Sequence, residues 1–195
     1  NSNGRYAPQG LLRERFIPRL RDAKAEGIQD ARGFIDPGKA WAAMMKNEKA
    51  GGHGERSVAV GVLDMALWDA VSKAEGVPLW RLLADRYNNG QADKTAWVYA
   101  AGGYYYPDKD ISALQDEMKH YLDLGYSCVK MKIGGAPLAD DIKRIEAVLK
   151  LVGKGDNLCV DVNGRYDLDE ALVCGDAIAP YNLRWYEEPL DPLDY

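Results

Sequence analysis

From Ser57 onward the apolar positions take a helical period: Val58, Val62, Leu63, Ala66, Leu67, Ala70, Val71 and Ala74 recur at intervals of three and four. Ser57 is placed to cap this helix and Gly76 to stop it. VPLWRLLADR (77–86) predicts a second, shorter helix. Ahead of both, residues 1–56 read as loop-rich, with glycine and polar clusters at NSNGRYAPQG and NEKAGGHGER. Between those clusters LLRERFIPRLRDAK has helical character that Pro18 should interrupt.

After residue 94 the pattern alternates. TAWVYAA (95–101), YSCVKMKI (126–133), NLCVDVNG (157–164) and LRWYEEP (183–189) predict four strands. Three helical stretches separate them. The first is capped by Ser112, carries Leu114, Met118, Tyr121 and Leu122 on its apolar face and ends at Gly125. The second, ADDIKRIEAVLKLVG, aligns Ile142, Ile145, Val148, Leu149 and Val152. The third opens with Asp167 and Glu170 at capping-box spacing and includes Leu172 and Ile178. Strands alternating with helices through short joints imply parallel βαβ units. Rhythm alone leaves open whether such a sheet closes into a barrel or stays doubly wound.

Side-chain parity narrows the choice. Val129, Met131 and Ile133 share one face of the second strand, and Lys130 and Lys132 share the other. Leu158, Val160 and Val162 oppose Cys159, Asp161 and Asn163; Tyr186 and Glu188 oppose Leu183, Trp185 and Glu187. One face of the second and third strands suits a helix layer, while the other turns polar toward the C-terminal end. Each polar position has an ordinary structural reading: a snorkelling lysine, a turn aspartate, a loop glutamate. The intervals argue against three accidents, since Lys132 to Asp161 is 29 residues and Asp161 to Glu187 is 26, each about one βα unit. Charges at one height on successive strands favour a barrel, whose sites lie at the C-terminal rim.

Composition is that of an ordinary globular chain: 195 residues, 47% hydrophobic, 28% charged, net charge −5. The mild acidity and the lack of a basic block argue against a nucleic-acid or anionic-membrane partner. No apolar run approaches ~20 residues, so no transmembrane helix is expected. No signal peptide is visible, and the chain opens on Asn-Ser-Asn without a methionine. Cys128, Cys159 and Cys174 show no CxxC spacing. Neither a disulfide framework nor a zinc site is expected, and a reducing cytoplasm is.

Two lysines beside two carboxylates suit one chemistry well. Carboxylate oxygens favour a hard cation such as Mg2+. A divalent ion and Lys130 can hold a substrate carboxylate and stabilise the charge of an enediolate. Lys132 can then remove the proton next to that carboxylate. Two ammonium groups crowded in a poorly solvated place are expected to favour losing a proton, which suits a base.

KMKIGG (130–135), DVNGRY (161–166) and WYEEP (185–189), taken in order, resemble the mandelate racemase/muconate lactonizing branch of the enolase superfamily, where a lysine base and Mg2+ serve this role. SVAVGVLDMALWDAVSKAEGVPLWRLL (57–83) is similar to the segment that precedes the barrel there. AAGGYYYP (100–107) and NEKAGGHGERSVAVG (47–61) look most like the D-tartrate dehydratase group. The resemblance implies the first half of a (β/α)8 barrel at 94–195, preceded at 1–93 by the C-terminal part of an α+β capping domain and its linker helices. It implies Mg2+ held by Asp161, Glu187 and a third acidic residue on the next strand, with Lys132 as acid/base and Lys130 on the substrate carboxylate. Asn3, Lys49 and Asn163 are candidates for substrate contact, the first two from the cap side. Tyr104, Tyr105 and Tyr106 are expected to pack as a half-exposed loop.

The implied reaction is dehydration of an acid sugar, D-tartrate to oxaloacetate first, on a small carboxylate substrate by a homo-oligomer of the full-length form. In that group a histidine on a later strand helps the leaving hydroxide. Neither His53, in a glycine-rich loop, nor His120, on an outer helix, follows a barrel strand. The sequence therefore looks like the middle of a protein about twice as long. A racemase or cycloisomerase on the same scaffold is the neighbouring alternative, and a non-catalytic fragment binding an anion or a partner subunit is the distant one. An open nucleotide-binding fold finds no support: no GxGxxG follows a strand and no P-loop lysine is present.

Overall fold

The structure, a computed structural model, describes residues 7–49 and 54–194. The chain divides into two compact units, Asn1–Lys94 and Thr95–Tyr195. No helix among the described residues is long and apolar enough to cross a membrane.

The described part of the first unit is helical: α1 (Gln9–Leu11), a π turn (Leu12–Phe16), α2 (Ile17–Arg21), α3 (Ala25–Ile28), α4 (Pro37–Met45), α5 (Glu55–Ala74) and α6 (Leu79–Tyr87). An isolated antiparallel bridge, Gln29 to Ile35, is its only β pairing among the described residues. Pro18 does not break the first helical run as expected. It sits in the first turn of α2, where its missing N–H does little harm, and the wider π turn carries the chain into it. The cap of helix α5 lies three residues earlier than anticipated: Gly54 occupies the N-cap and Ser57 lies in the first turn. Gly76, at φ 69°, takes the left-handed stop expected of it. Phe16, Met44, Ala59 and Val60 are buried at the centre, with Leu12, Leu20 and Leu67 packed around them.

The second unit is built from β1 (Ala100–Ala101), α7 (Ile111–Asp123), β2 (Val129–Lys132), α8 (Leu138–Val152), β3 (Leu158–Asp161), α9 (Leu168–Ile178) and β4 (Trp185–Glu187). The sheet order is β1-β2-β3-β4 and every pair is parallel. Neighbours in space are neighbours in sequence, each crossing back through a helix, which is the order of the first half of a (β/α)8 barrel. One face of the sheet meets the helices in a single core: Val129, Met131, Leu158 and Val160 pack against Leu114, Met118, Ile145, Val148 and Ile178.

Strand β1 is much shorter than the predicted 95–101. It lies at the sheet edge and pairs only with β2, where Val129 and Lys130 leave partners for just two residues. Helix α7 is capped by Asp110, which accepts from Ala113 N at 2.8 Å, and not by Ser112, which falls inside the helix. Asp167 and Glu170 form both bonds of the expected capping box on α9. The three cysteines are free and buried, with the sulfurs of Cys128 and Cys159 3.6 Å apart.

Candidate active site

The ladder places the polar residues. Lys132 is in register with Asp161, and Asp161 with Glu187, so the three form one row across β2, β3 and β4. Lys130, Cys159 and Trp185 form a parallel row nearer the strands' N-terminal ends. Alternation puts both rows on the face opposite the helix-packed core. Lys130 is 8% exposed and Asp161 1%. Lys130 Nζ lies 2.8 Å from Glu187 Oε1 and 3.0 Å from Asp161 Oδ2, and Lys132 Nζ lies 2.5 Å from the same Asp161 oxygen. Asp161 Oδ1 accepts from Asn163 N at 3.0 Å, and Glu187 Oε2 accepts from the Trp185 indole at 2.8 Å.

These contacts overturn the expected mutual crowding of the lysines. Carboxylates stand between the two ammonium groups. Burial alone would push the Lys130 ammonium down, but Glu187 and Asp161 outweigh it and hold it well above the ordinary lysine value. Burial would likewise raise the Asp161 carboxyl, and the hydrogen bonds from Lys132 and Lys130 hold it below the usual carboxylate range. Charge in the site is balanced by pairing, so in this state Lys130 is a fixed cation.

Glu188 departs from its expected place. Strict alternation sets it opposite Glu187, yet its backbone turns to φ 34° immediately past the last paired residue of β4. Its carboxylate thereby joins the cluster: one oxygen each from Asp161, Glu187 and Glu188 lie within 4.8 Å of one another. Asn163, also left-handed at φ 57°, donates from Nδ2 to Glu188 Oε1 at 2.8 Å. Oxygens sharing one Mg2+ at about 2.1 Å stand no more than about 4.2 Å apart. The three carboxylates therefore fit a hard divalent cation after a small closure, and the all-oxygen donor set suits one.

The sequence-derived candidates thus separate. Lys130, Lys132, Asp161, Glu187 and Asn163 are brought together. Lys49 lies in the first unit, exposed, with its carbonyl accepting from Arg56 at 2.8 Å. Asn3 and His53 lie outside the described residues. His120 is exposed on α7.

Two anchors that sequence reasoning did not pick out, one on buried Asp141 and one on half-buried Glu117, frame the row. Asp141, on α8, accepts from Tyr105 Oη at 2.5 Å, from Gly134 N at 2.8 Å and from Arg144 at 3.1 Å. Arg144 also donates to the carbonyls of Lys132 (3.1 Å) and Gly103 (2.7 Å). Their partners are up to 41 residues distant, and no local pattern announces such pairs. Glu117 clamps the loop after β1, accepting from Gly103 N at 3.1 Å, Lys109 at 2.5 Å and Tyr121 Oη at 3.1 Å. Burial raises the Glu117 carboxyl, and the bonds from Lys109 and Gly103 overcome this and lower it. A depressed carboxyl contributes stability above its unfolded value of about 4.3, and that contribution disappears as pH falls through the folded value. Acid unfolding of Glu117→Gln should therefore be flatter below about pH 4.5 than that of wild type, as read by thermal midpoints across pH.

Residues 113–195 match the family described as enolase C-terminal domain-like. Arabinonate dehydratase of Saccharolobus solfataricus is 33% identical over 145 residues, covering 73% of this chain. The chain belongs to the enolase superfamily. Its matches lie in the mandelate racemase/muconate lactonizing branch. Another relative in the enolase superfamily, the 3,6-anhydro-alpha-L-galactonate cycloisomerase of Streptomyces coelicolor, is 32% identical over 80% of the chain. A racemase from Streptomyces coelicolor A3(2), solved with bound magnesium, superposes with a TM-score of 0.76 at 28% identity over 96% of the chain. The chain spans less than half the length of these proteins: 37% of the first, 41% of the second and 48% of the third.

Proposed function

We propose that the full-length protein is a Mg2+-dependent acid-sugar dehydratase that removes the proton α to a carboxylate and expels a hydroxyl group. The observation that carries this reading is the row of Lys132, Asp161 and Glu187 at one height, with Lys130 ion-paired beneath it. Magnesium in a structural neighbour and dehydration by a relative support it. Asp161 and Glu187 would hold the ion, which supplies positive charge next to the substrate carboxylate. Lys130, kept protonated by its two carboxylates, offers a second fixed charge there. Lys132 takes the α-proton onto Nζ. Asn163, whose amide bonds Glu188, is proposed as a substrate contact, as are Lys49 and Asn3. D-tartrate, giving oxaloacetate, is the first substrate to try. Free, buried cysteines support a reducing compartment such as the cytoplasm.

The test is a panel of acid sugars, D-tartrate first, incubated with the full-length protein and Mg2+ in deuterated water. Keto-acid formation is the expected result, with deuterium on the carbon that loses its hydroxyl, where the enol is reprotonated; the α-carbon becomes the ketone. Deuterium incorporation without loss of water would replace the dehydratase by a racemase or cycloisomerase, activities named for two of the similar proteins. Neither keto acid nor exchange on any member would end the reading.

A further inference from the structure

We propose that Tyr104 is a positioning residue for Lys132, an inference that rests on Lys132 acting as the acid/base. Three consecutive tyrosines follow β1, and the structure gives each a different place. Tyr105 is packed: its hydroxyl donates to Asp141 and accepts from Gly135 N at 3.2 Å, and the Arg144 guanidinium lies 3.9 Å from its ring centroid. Tyr106 is 60% exposed, with the Lys109 ammonium 5.2 Å from its ring. Tyr104, 42% exposed, sets its ring centroid 5.3 Å from Lys132 Nζ.

The backbone on either side of Tyr104 is fastened. Gly103 donates to Glu117 and accepts from Arg144. Gly103 sits at φ 64°, and a Cβ there would fall 2.5 Å from Met131 Cβ, so the chain passes against β2 with no room to move inward. Arg144 holds the Lys132 carbonyl as well as that of Gly103. One guanidinium therefore ties the backbone of the base to the residue before Tyr104, and the ring-to-ammonium distance is set by the frame.

Lys132 needs such a constraint. Its ammonium rides on a flexible four-carbon stem. Asp161 holds it by charge, and the face of the Tyr104 ring attracts the same cation without taking its proton. A base displaced by about 1 Å can lose about a hundredfold in rate. Tyr104 as a whole keeps 42% of its surface open to solvent, so the ring holds the ammonium without being part of the core.

The test uses the full-length protein in three variants, Tyr104→Leu, Tyr104→Phe and Tyr106→Leu, with two readouts. In protein carrying lysine labelled with 13C at Cε, the Lys132 signal, assigned by its loss in Lys132→Arg, should shift in Tyr104→Leu and stay in place in Tyr106→Leu. On the acid sugar that wild type turns over, Tyr104→Leu should lower kcat about 10- to 100-fold with KM and Mg2+ affinity nearly unchanged. Tyr104→Phe, which keeps the ring, should remain within about threefold of wild type. An unmoved Lys132 signal, or an unchanged kcat in Tyr104→Leu, overturns the proposal. If wild type turns over no acid sugar, the functional reading fails separately, and the labelled-lysine arm still decides whether the ring holds the base.

Discussion

Lys132→Ala should lower the kcat of the full-length protein about 10²- to 10⁴-fold, the usual contribution of a positioned general base. Deuterium exchange at the substrate α-carbon should vanish with it. Lys132→Arg should not rescue turnover, because a guanidinium does not deprotonate in proteins. The substitution leaves Asp161 its contact with Lys130 and its bond from Asn163, so Mg2+ binding should survive. Turnover by Lys132→Ala at the wild-type rate would remove the base from this scheme.

Asp161→Asn should have the second large effect, on metal affinity and stability together. One oxygen of this nearly inaccessible side chain meets both ammonium groups, so removing its charge leaves Lys130 with Glu187 alone and takes away the carboxylate that Lys132 pairs with. Breaking a buried pair in this way costs about 3–5 kcal/mol, readable as a lowered denaturant midpoint. Mg2+ should bind at least about 100-fold more weakly by calorimetry, since even outer partners of ligands cost 10- to 100-fold. A ligand that binds only the folded state raises its stability. Wild type should therefore melt higher with Mg2+, and the variant should not. An Asn variant with unaltered Mg2+ affinity would show that the ion sits elsewhere.

Much of the second unit is legible in its sequence because period and parity are local. Lys130, Lys132, Asp161 and Glu187 could be set on one face from alternation alone, and the structure puts them there. The Asp167 and Glu170 box was readable for the same reason, each bond spanning three residues. What failed depends on partners or on a choice between equivalent neighbours. The extent of β1 is fixed by β2, not by the β propensity of 95–99. Asp110 and Ser112 are both competent caps, and the carboxylate two residues upstream takes the role. Glu188 escaped because alternation was extended one residue past the end of pairing, where the pleat no longer sets direction. The Tyr105–Asp141–Arg144 anchor joins side chains from two βα units, and only the folded sheet brings them together.

The shared height of Lys132, Asp161 and Glu187 has a bearing on quality control. A slip of β3 by a single residue would swing Asp161 into the oily layer beneath the helices and bring a valine to the rim. Such a chain would lose its packing and its reactivity in the same step. A population of well-folded but inert molecules cannot arise by that error, so the yield of active sites reports directly on how faithfully the strands were zipped.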